Sequence, residues 1–241
     1  MKIANLCILI PVYREKISDD ETVSLEYLKK NASGESIFFI APEGLKTENY
    51  HKWGWNFIFF PKKFFVSVNE YTKLLLSPFF YEKFKNYEYM LICQTDALLL
   101  RSIEQIKPFL EAGYDYIGAP WPGGYEIYSC SFKGISAVKK FFHPQICNVG
   151  NGGFSLRNIP NTIALLKEKK IYTYIWNTGE DCFFAYYGLK NHCGFRVAPL
   201  ELAYRFAVEK DAKEQITNGR RPLGIHGWKK HYPDILLKEK R

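Results

Sequence analysis

The chain has no CxxC pair among its six cysteines, Cys7, Cys93, Cys130, Cys147, Cys182 and Cys193. That excludes the common zinc-ribbon and dithiol redox spacings. His143 with Cys147, and His192 with Cys193, are not spaced as a zinc site either. No Gly-Lys-Ser/Thr follows a glycine loop and no Gly-x-Gly-x-x-Gly occurs, so neither a P-loop nor a dinucleotide fingerprint is present. There is no basic stripe with interleaved aromatics, which argues against nucleic acid as a partner. The apolar start, Ile3 to Ile10, is too short to span a membrane, lacks a small-residue cleavage site and runs into Pro11. A cytoplasmic protein with free thiols is therefore expected. No repeat, low-complexity tract or linker breaks the chain, so one domain over 1–241 is expected.

What is present fits an enzyme-sized α/β domain. The chain has 241 residues, 47% of them hydrophobic, enough for a substantial core. Aromatics reach 17%, which suits stacking on sugars or bases but by default reads as an aromatic-rich core. The formal net charge of +8 favours an anionic partner such as a phosphate, a nucleotide or an anionic membrane face.

The stretch Tyr87 to Leu100 organises the rest. An apolar run climbs to Gln94 and stops, Asp96 follows, and a second apolar run begins. This reads as a buried strand, a polar break and another buried segment. Asp96 suits a turn that bonds its own backbone. Taken alone it favours the turn, the commonest use of Asp; the other reading is a cation site at a strand's carboxyl end, where α/β sheets gather ligands.

Around it, a fully buried strand is expected at Leu6 to Ile10, and further strands at Ser36 to Ile40, Trp55 to Phe60, Tyr114 to Gly118 and Phe195 to Ala198. Ser18 and Glu21 form a capping box for a helix over Glu21 to Lys30. Asn69 to Phe84 reads as two helical pieces broken at Ser77-Pro78. Helices are also expected at Ile103 to Leu110 and Pro160 to Lys170. Ala119 to Asn148 lacks periodicity and reads as a long functional loop. Val149 to Arg157 is a strand with three glycines in four residues, suited to a bulge or to close approach of a ligand. Thr178 to Asp181 opens a helix, with Thr178 as the cap and the helix dipole holding the Asp181 pKa low. His226 stands between glycines in a late loop.

These pieces in this order resemble the GT-A type nucleotide-sugar glycosyltransferases. They are most similar to a bacterial glycosyltransferase-like family of largely uncharacterised members. The resemblance rests on Tyr87-Glu88-Tyr89 with Gln94-Thr95-Asp96-Ala97, Tyr114 to Trp121, Gly150 to Arg157, Glu180-Asp181 and Pro222 to His226, and covers Leu6 to Trp228.

The resemblance implies one GT-A (Rossmann-like) α/β domain with a mixed, mostly parallel sheet flanked by helices. A nucleotide-binding half would run over about 1–101, an acceptor half over about 102–230 and a basic tail over 231–241. It implies transfer of a sugar from a nucleotide-diphosphate sugar to a glycan or lipid-linked glycan in bacterial surface polysaccharide synthesis. Asp181 would be the base of an inverting reaction, with Glu180 beside it. Donor contacts would come from Pro11, Tyr13, Arg14, Lys73, Gln94, Thr95, Asp96, Gly152, Gly153 and Lys229. Acceptor contacts would come from Trp121, Asn151 and Phe183. Asp96 and His226 would hold a divalent cation, manganese or magnesium. One departure stands out: Gln94 replaces the first acid of the Asp-x-Asp motif, and an amide binds a hard cation less well. That amide also suits a non-catalytic nucleotide- or sugar-binding protein. Phosphoester hydrolysis would need more carboxylates than Asp96, Glu180 and Asp181. The basic tail adds an expected peripheral contact with an anionic membrane, at the inner face of the cytoplasmic membrane.

Overall fold

A computed structural model describes residues 3, 5–128, 144–191 and 194–238. The chain runs β1 (Leu6–Pro11), α1 (Asp19–Asn31), β2 (Ser36–Pro42), β3 (Asn56–Phe60), α2 (Val68–Leu75), α3 (Pro78–Glu82), β4 (Tyr89–Cys93), β5 (Leu98–Leu99) and α4 (Lys107–Glu111). It continues with β6 (Tyr116–Ile117), β7 (Pro120–Ile127), β8 (Gln145–Val149), β9 (Phe154–Asn158), α5 (Ile159–Glu168), α6 (Lys170–Ile175) and α7 (Glu180–Leu189). It closes with α8 (Leu200–Phe206), β10 (Ala207–Val208), α9 (Ala212–Thr217), β11 (Gly224–Ile225), α10 (Trp228–His231) and α11 (Ile235–Lys238).

The main sheet has the order β3-β2-β1-β4-β9-β6. Its first four strands are parallel, and β9 is antiparallel to both of its neighbours. Both faces are covered, so β1 and β4 are buried along their whole length. Alternate residues serve opposite faces, as a strand requires. Leu6, Ile8 and Leu91 join the core under α1, while Cys7, Leu9 and Met90 join the core under α2, α3, α5 and α7. The expected capping box forms: Ser18 caps α1 and the Glu21 carboxylate accepts from the Ser18 backbone N–H at 2.8 Å. The break at Ser77-Pro78 also forms, with Pro78 opening α3.

Three expectations are corrected. Ala119 to Asn148 is not a structureless loop, because its ends pair as the antiparallel ribbon β7–β8. The tip, 129–143, including Cys130 and His143, lies outside the described residues, as do His192 and Cys193. Phe195 to Ala198 forms no strand, only a single bridge from Val197 to Tyr116. The tail is not wholly solvated: Tyr232 and Ile235 are buried against Trp228. Lys240 and Arg241 lie outside the described residues.

A second, small sheet of order β10-β11-β5 positions the site. Its strands are only two residues long, but their register is fixed. Ile225 pairs with Leu98 across an antiparallel ladder, and Val208 with Ile225 across a parallel one. The residues that follow, Glu209 and His226, are thereby set side by side, close to Asp96. The backbone N–H of Trp228 reaches the carbonyl of Asp96 at 3.3 Å, and the Trp228 indole donates to Ser24 on α1 at 3.0 Å. Among the described residues no helix is long and apolar enough to cross a membrane.

Candidate active site

The carboxyl ends of β1 and β4 open onto a pocket of about 640 Å³. Pro11, Tyr13, Arg14, Gln94, Thr95, Asp96 and Lys229 all line it. Parallel pairing of β1 with β4 brings Pro11, Tyr13 and Arg14 beside Gln94, Thr95 and Asp96, and α10 adds Lys229. Tyr13 is 55% exposed and its ring is backed by the Arg14 guanidinium at 5.0 Å. Thr95 donates to Glu21 at 3.0 Å, and Lys229 pairs with Asp20 at 3.1 Å, tying the pocket to α1.

His226 links the pocket to the small sheet. Its Nε2 lies 3.2 Å from Asp96 Oδ1 and 3.2 Å from Gln94 Oε1. Its Nδ1 lies 3.2 Å from Glu209 Oε1. Burial opposes charge on the ring, but the carboxylates of Asp96 and Glu209 outweigh it and lift the imidazole to about 9. Burial likewise raises both carboxylates and His226 lowers them more, so each sits below its usual range.

This donor set fits a divalent cation. Among the described residues, no three His, Cys, Asp or Glu side chains cluster as a metal site. The third donor is the Gln94 amide oxygen, which hard cations accept. Asp96, Gln94 and His226 would hold the ion, which at neutral pH would have to displace the Nε2 proton that Asp96 keeps on the ring, with Glu209 fixing the ring through Nδ1.

Glu209, which contacts His226, is the residue of this cluster that sequence reading misses. Its signal is present: Phe206-Ala207-Val208 is an apolar run that ends in a carboxylate, the pattern that singles out Asp96. Glu209→Gln is expected to weaken manganese binding by about 10–100-fold, the usual cost of losing a group that orients a metal ligand. Calorimetric titration of the purified protein with manganese checks it, and unchanged affinity would remove Glu209 from the site.

The glycine-rich turn serves side chains. A Cβ on Gly153 would lie 2.1 Å from the His226 ring, and one on Gly152 would lie 2.2 Å from Glu180 Oε1. These glycines make room for His226 and Glu180. Asn151 is buried in the same turn at φ 54°, and its side chain accepts from the Gly153 N–H at 3.2 Å.

Other expected residues lie elsewhere. Lys73 does not line the pocket. It pairs with Glu70 and borders a neighbouring cleft, because Tyr71, two residues away on α2, takes the pocket side. Phe183 is fully buried against Trp176 and Tyr187, since α7 is apolar on every face from Cys182 to Gly188. Trp121 is 8% exposed and packs on Tyr125. Glu180 is buried in an ion pair with the fully buried Arg157, at 2.9 Å.

Asp181 differs from its neighbour. It keeps partial exposure, and its Oδ1 accepts from the Cys182 N–H at 2.8 Å. Its pKa is not held low, as the helix dipole alone suggests. Burial and the adjacent Glu180 charge raise it to about 6, against the pull of the Cys182 N–H and Arg157. Thr178 is not the cap either: Gly179 takes that position, without a side-chain bond.

The parallel sheet with an antiparallel β9, and a pocket at the carboxyl ends of β1 and β4, define a GT-A fold. Residues 54–226 match the model of the family described as "Protein of unknown function (DUF5672)", and the chain belongs to that family. No curated protein matches it by sequence.

Solved structures share the fold at low identity. The Mn/GDP form of core-mannan synthase A (CmsA/Ktr4) from Aspergillus fumigatus aligns with TM-score 0.54 and 10% identity, over 76% of this chain and 68% of that one. Mouse xyloside xylosyltransferase 1, in its apo form, aligns with TM-score 0.52 and 13% identity, over 91% and 96%. The galactosyltransferase LgtC, in complex with donor and acceptor sugar analogues, aligns with TM-score 0.53 and 14% identity, over 91% and 86%. The chain spans about two thirds of the length of the fungal structures it matches.

Proposed function

We propose that the chain is a glycosyltransferase. It would move a sugar from a nucleotide-diphosphate sugar to a glycan or lipid-linked glycan, in bacterial surface polysaccharide synthesis. One observation carries this reading: Gln94, Asp96 and His226 meet within 3.2 Å at the carboxyl end of β4, beside a pocket that holds Tyr13, Arg14 and Lys229. The fold shared with glycosyltransferases supports it.

In this reading Tyr13 offers an exposed ring to the base of the nucleotide, and Arg14 and Lys229 face its phosphates. A divalent cation held by Asp96, His226 and Gln94 would supply electrostatic stabilisation to the leaving diphosphate, and the imidazole favours manganese. Asp181 takes the proton of the acceptor hydroxyl in an inverting transfer. Of the two acids at the start of α7, it is the one with exposure left. A pKa near 6 makes it a better base than an ordinary aspartate, while leaving it ionised at neutral pH. Around it stand Glu180 and Cys182 on α7, Arg157 on β9 and Tyr116 on β6. Transfer is expected to fall as pH drops through about 6, where Asp181 takes up its proton. A rate profile flat from pH 7 to pH 4.5 would count against this base.

The deciding measurement is thermal stability against a panel of nucleotide-diphosphate sugars, with and without manganese. A donor at about a hundred times its dissociation constant adds about 2.7 kcal/mol. The shift should be larger with manganese and absent in Asp96→Ala. No shift with any donor overturns the reading. Gln94 favours one second reading, a binding protein without catalysis, and a donor-dependent shift with neither transfer nor donor hydrolysis would support it. A peripheral contact with the inner face of an anionic cytoplasmic membrane goes with a lipid-linked acceptor.

A further inference from the structure

A second cleft, of about 1130 Å³, lies beside the donor pocket, between α2–α3 on one side and α6 with the segment to Thr178 on the other. We propose that it is the acceptor site and that it takes a saccharide joined to an apolar chain. The proposal rests on the transferase reading and names the substrate class for it.

Position comes first. Ser67 lines both the donor pocket and the cleft, so the two are continuous at the start of α2. The cleft also reaches Thr178, three residues before Asp181. An acceptor lying in it would therefore run between the donor pocket and the start of α7, where the proposed base stands.

The lining combines buried side chains, amides, exposed apolar groups and the charged Glu70, Lys73 and Lys170. Its floor is made of buried residues: Thr72, Leu76 and Trp176. The Trp176 indole N–H is spent on the carbonyl of Gly179 at 2.9 Å, which fixes the ring. Asn69 and Asn177, both exposed, offer amides from opposite walls. Amides for hydroxyls and a fixed ring for a C–H face suit a saccharide.

The lips are different. Helix α6 has no buried residue, yet it presents Ile171 at 75% exposure and Tyr174 at 88%. Where the cleft meets the donor pocket, Val66 and Val68 flank Ser67 at 68% and 80% exposure and line the donor pocket. A free sugar does not need exposed apolar side chains such as Ile171 and Tyr174 along the rim of its cleft. An apolar chain leaving the saccharide does, because it covers those side chains and they cover it.

The test uses octyl glycosides of glucose, galactose, mannose and N-acetylglucosamine below their micellar concentrations. The free monosaccharides and octanol are the controls, and binding is read by calorimetry. Burying two methylenes is worth about tenfold in affinity, so at least one octyl glycoside should bind about tenfold tighter than its free sugar. The variant carrying Ile171→Ser and Tyr174→Ser together should lose that advantage. Both side chains are exposed, so the fold is not at stake, and stabilisation by donor should match wild type. Asn177→Ala should weaken the octyl glycoside and its free sugar alike. Equal binding of octyl glycosides by the double variant and wild type overturns the proposal. So does octanol binding as tightly as any octyl glycoside, or no binding of any probe. Loss of donor stabilisation in wild type would instead overturn the transferase reading, and the binding result for the cleft would stand apart from it.

Discussion

The Asp181→Asn protein is expected to lose transfer by about 10²–10⁴-fold, the range a positioned general base contributes. Its stabilisation by donor should remain as in wild type, since Asp181 lies outside the pocket of Tyr13 and Asp96. The same substitution should raise stability at neutral pH. The carboxyl group ordinarily titrates at 3.8 and is lifted to about 6 in the folded chain, first by burial and then by Glu180. Between those values the folded state binds more protons than the unfolded one, so stability is highest below 3.8 and falls as pH rises through about 6. Above that range the ionised group costs up to about 2–3 kcal/mol, because a tenfold change in proton affinity is worth about 1.4 kcal/mol. Asparagine keeps an oxygen for the Cys182 N–H and removes the charge. Melting at pH 8 should therefore rise in the variant, and the gain should vanish at pH 3.5. Unchanged turnover would take Asp181 out of the mechanism, and a lower melting temperature would make it an anchor of α7 instead.

How far this site can be read from sequence depends on the kind of signal. Strands β1, β2 and β4 announce themselves as apolar runs ended by Pro11, Pro42 and Gln94, because a strand buried on both faces has few polar positions to spare, and the edge strand β3 shows as an aromatic run ended by Pro61. The loops at their ends are legible for the same reason. Pro11, Tyr13, Arg14, Gln94, Thr95, Asp96 and Lys229 do meet in one pocket.

What stays hidden is whatever distant packing sets. Nothing local says that Gly152 makes room for Glu180, or that Phe183 turns inward on a helix apolar all round. A motif analogy puts Lys73 at the donor, but helix periodicity turns it to the other side of α2. The ribbon β7–β8 escapes notice because it carries Gly123 and Gly124 and a register shift, which erase the two-residue alternation. Glu209 escapes notice because two-residue strands give no pattern at all. Leu98, Val208 and Ile225 pack in one cluster with Trp228, Tyr232 and Ile235, which lie distant in sequence from β5.

Arg157→Met is expected to be the most destabilising change among the site residues, by roughly 3–5 kcal/mol, the cost of leaving one partner of a buried ion pair alone. Arg157 is fully buried on β9. Its guanidinium donates to Glu180 at 2.9 Å, to the Tyr81 hydroxyl at 2.9 Å and to Ser155 at 3.2 Å, and lies over the rings of Tyr116 and Phe184. Methionine fills much of the volume but satisfies none of these oxygens, so Glu180 is left as an unpaired buried charge. Adding Glu180→Gln to Arg157→Met should recover part of the loss, because it removes the stranded charge. Urea unfolding of the wild type, the two single variants and the double variant gives the coupling between the two side chains. Strictly additive losses would mean that the pair does not act as one unit. The pair matters beyond stability because it clamps the start of α7 to β9. The turn 151–153 precedes β9 and packs against Glu180 at Gly152 and His226 at Gly153. Loosening the clamp should therefore disturb Asp181 and the Asp96–His226 corner together. A double variant that recovers stability without recovering manganese affinity would show that the charge pair positions the site as well as holding it.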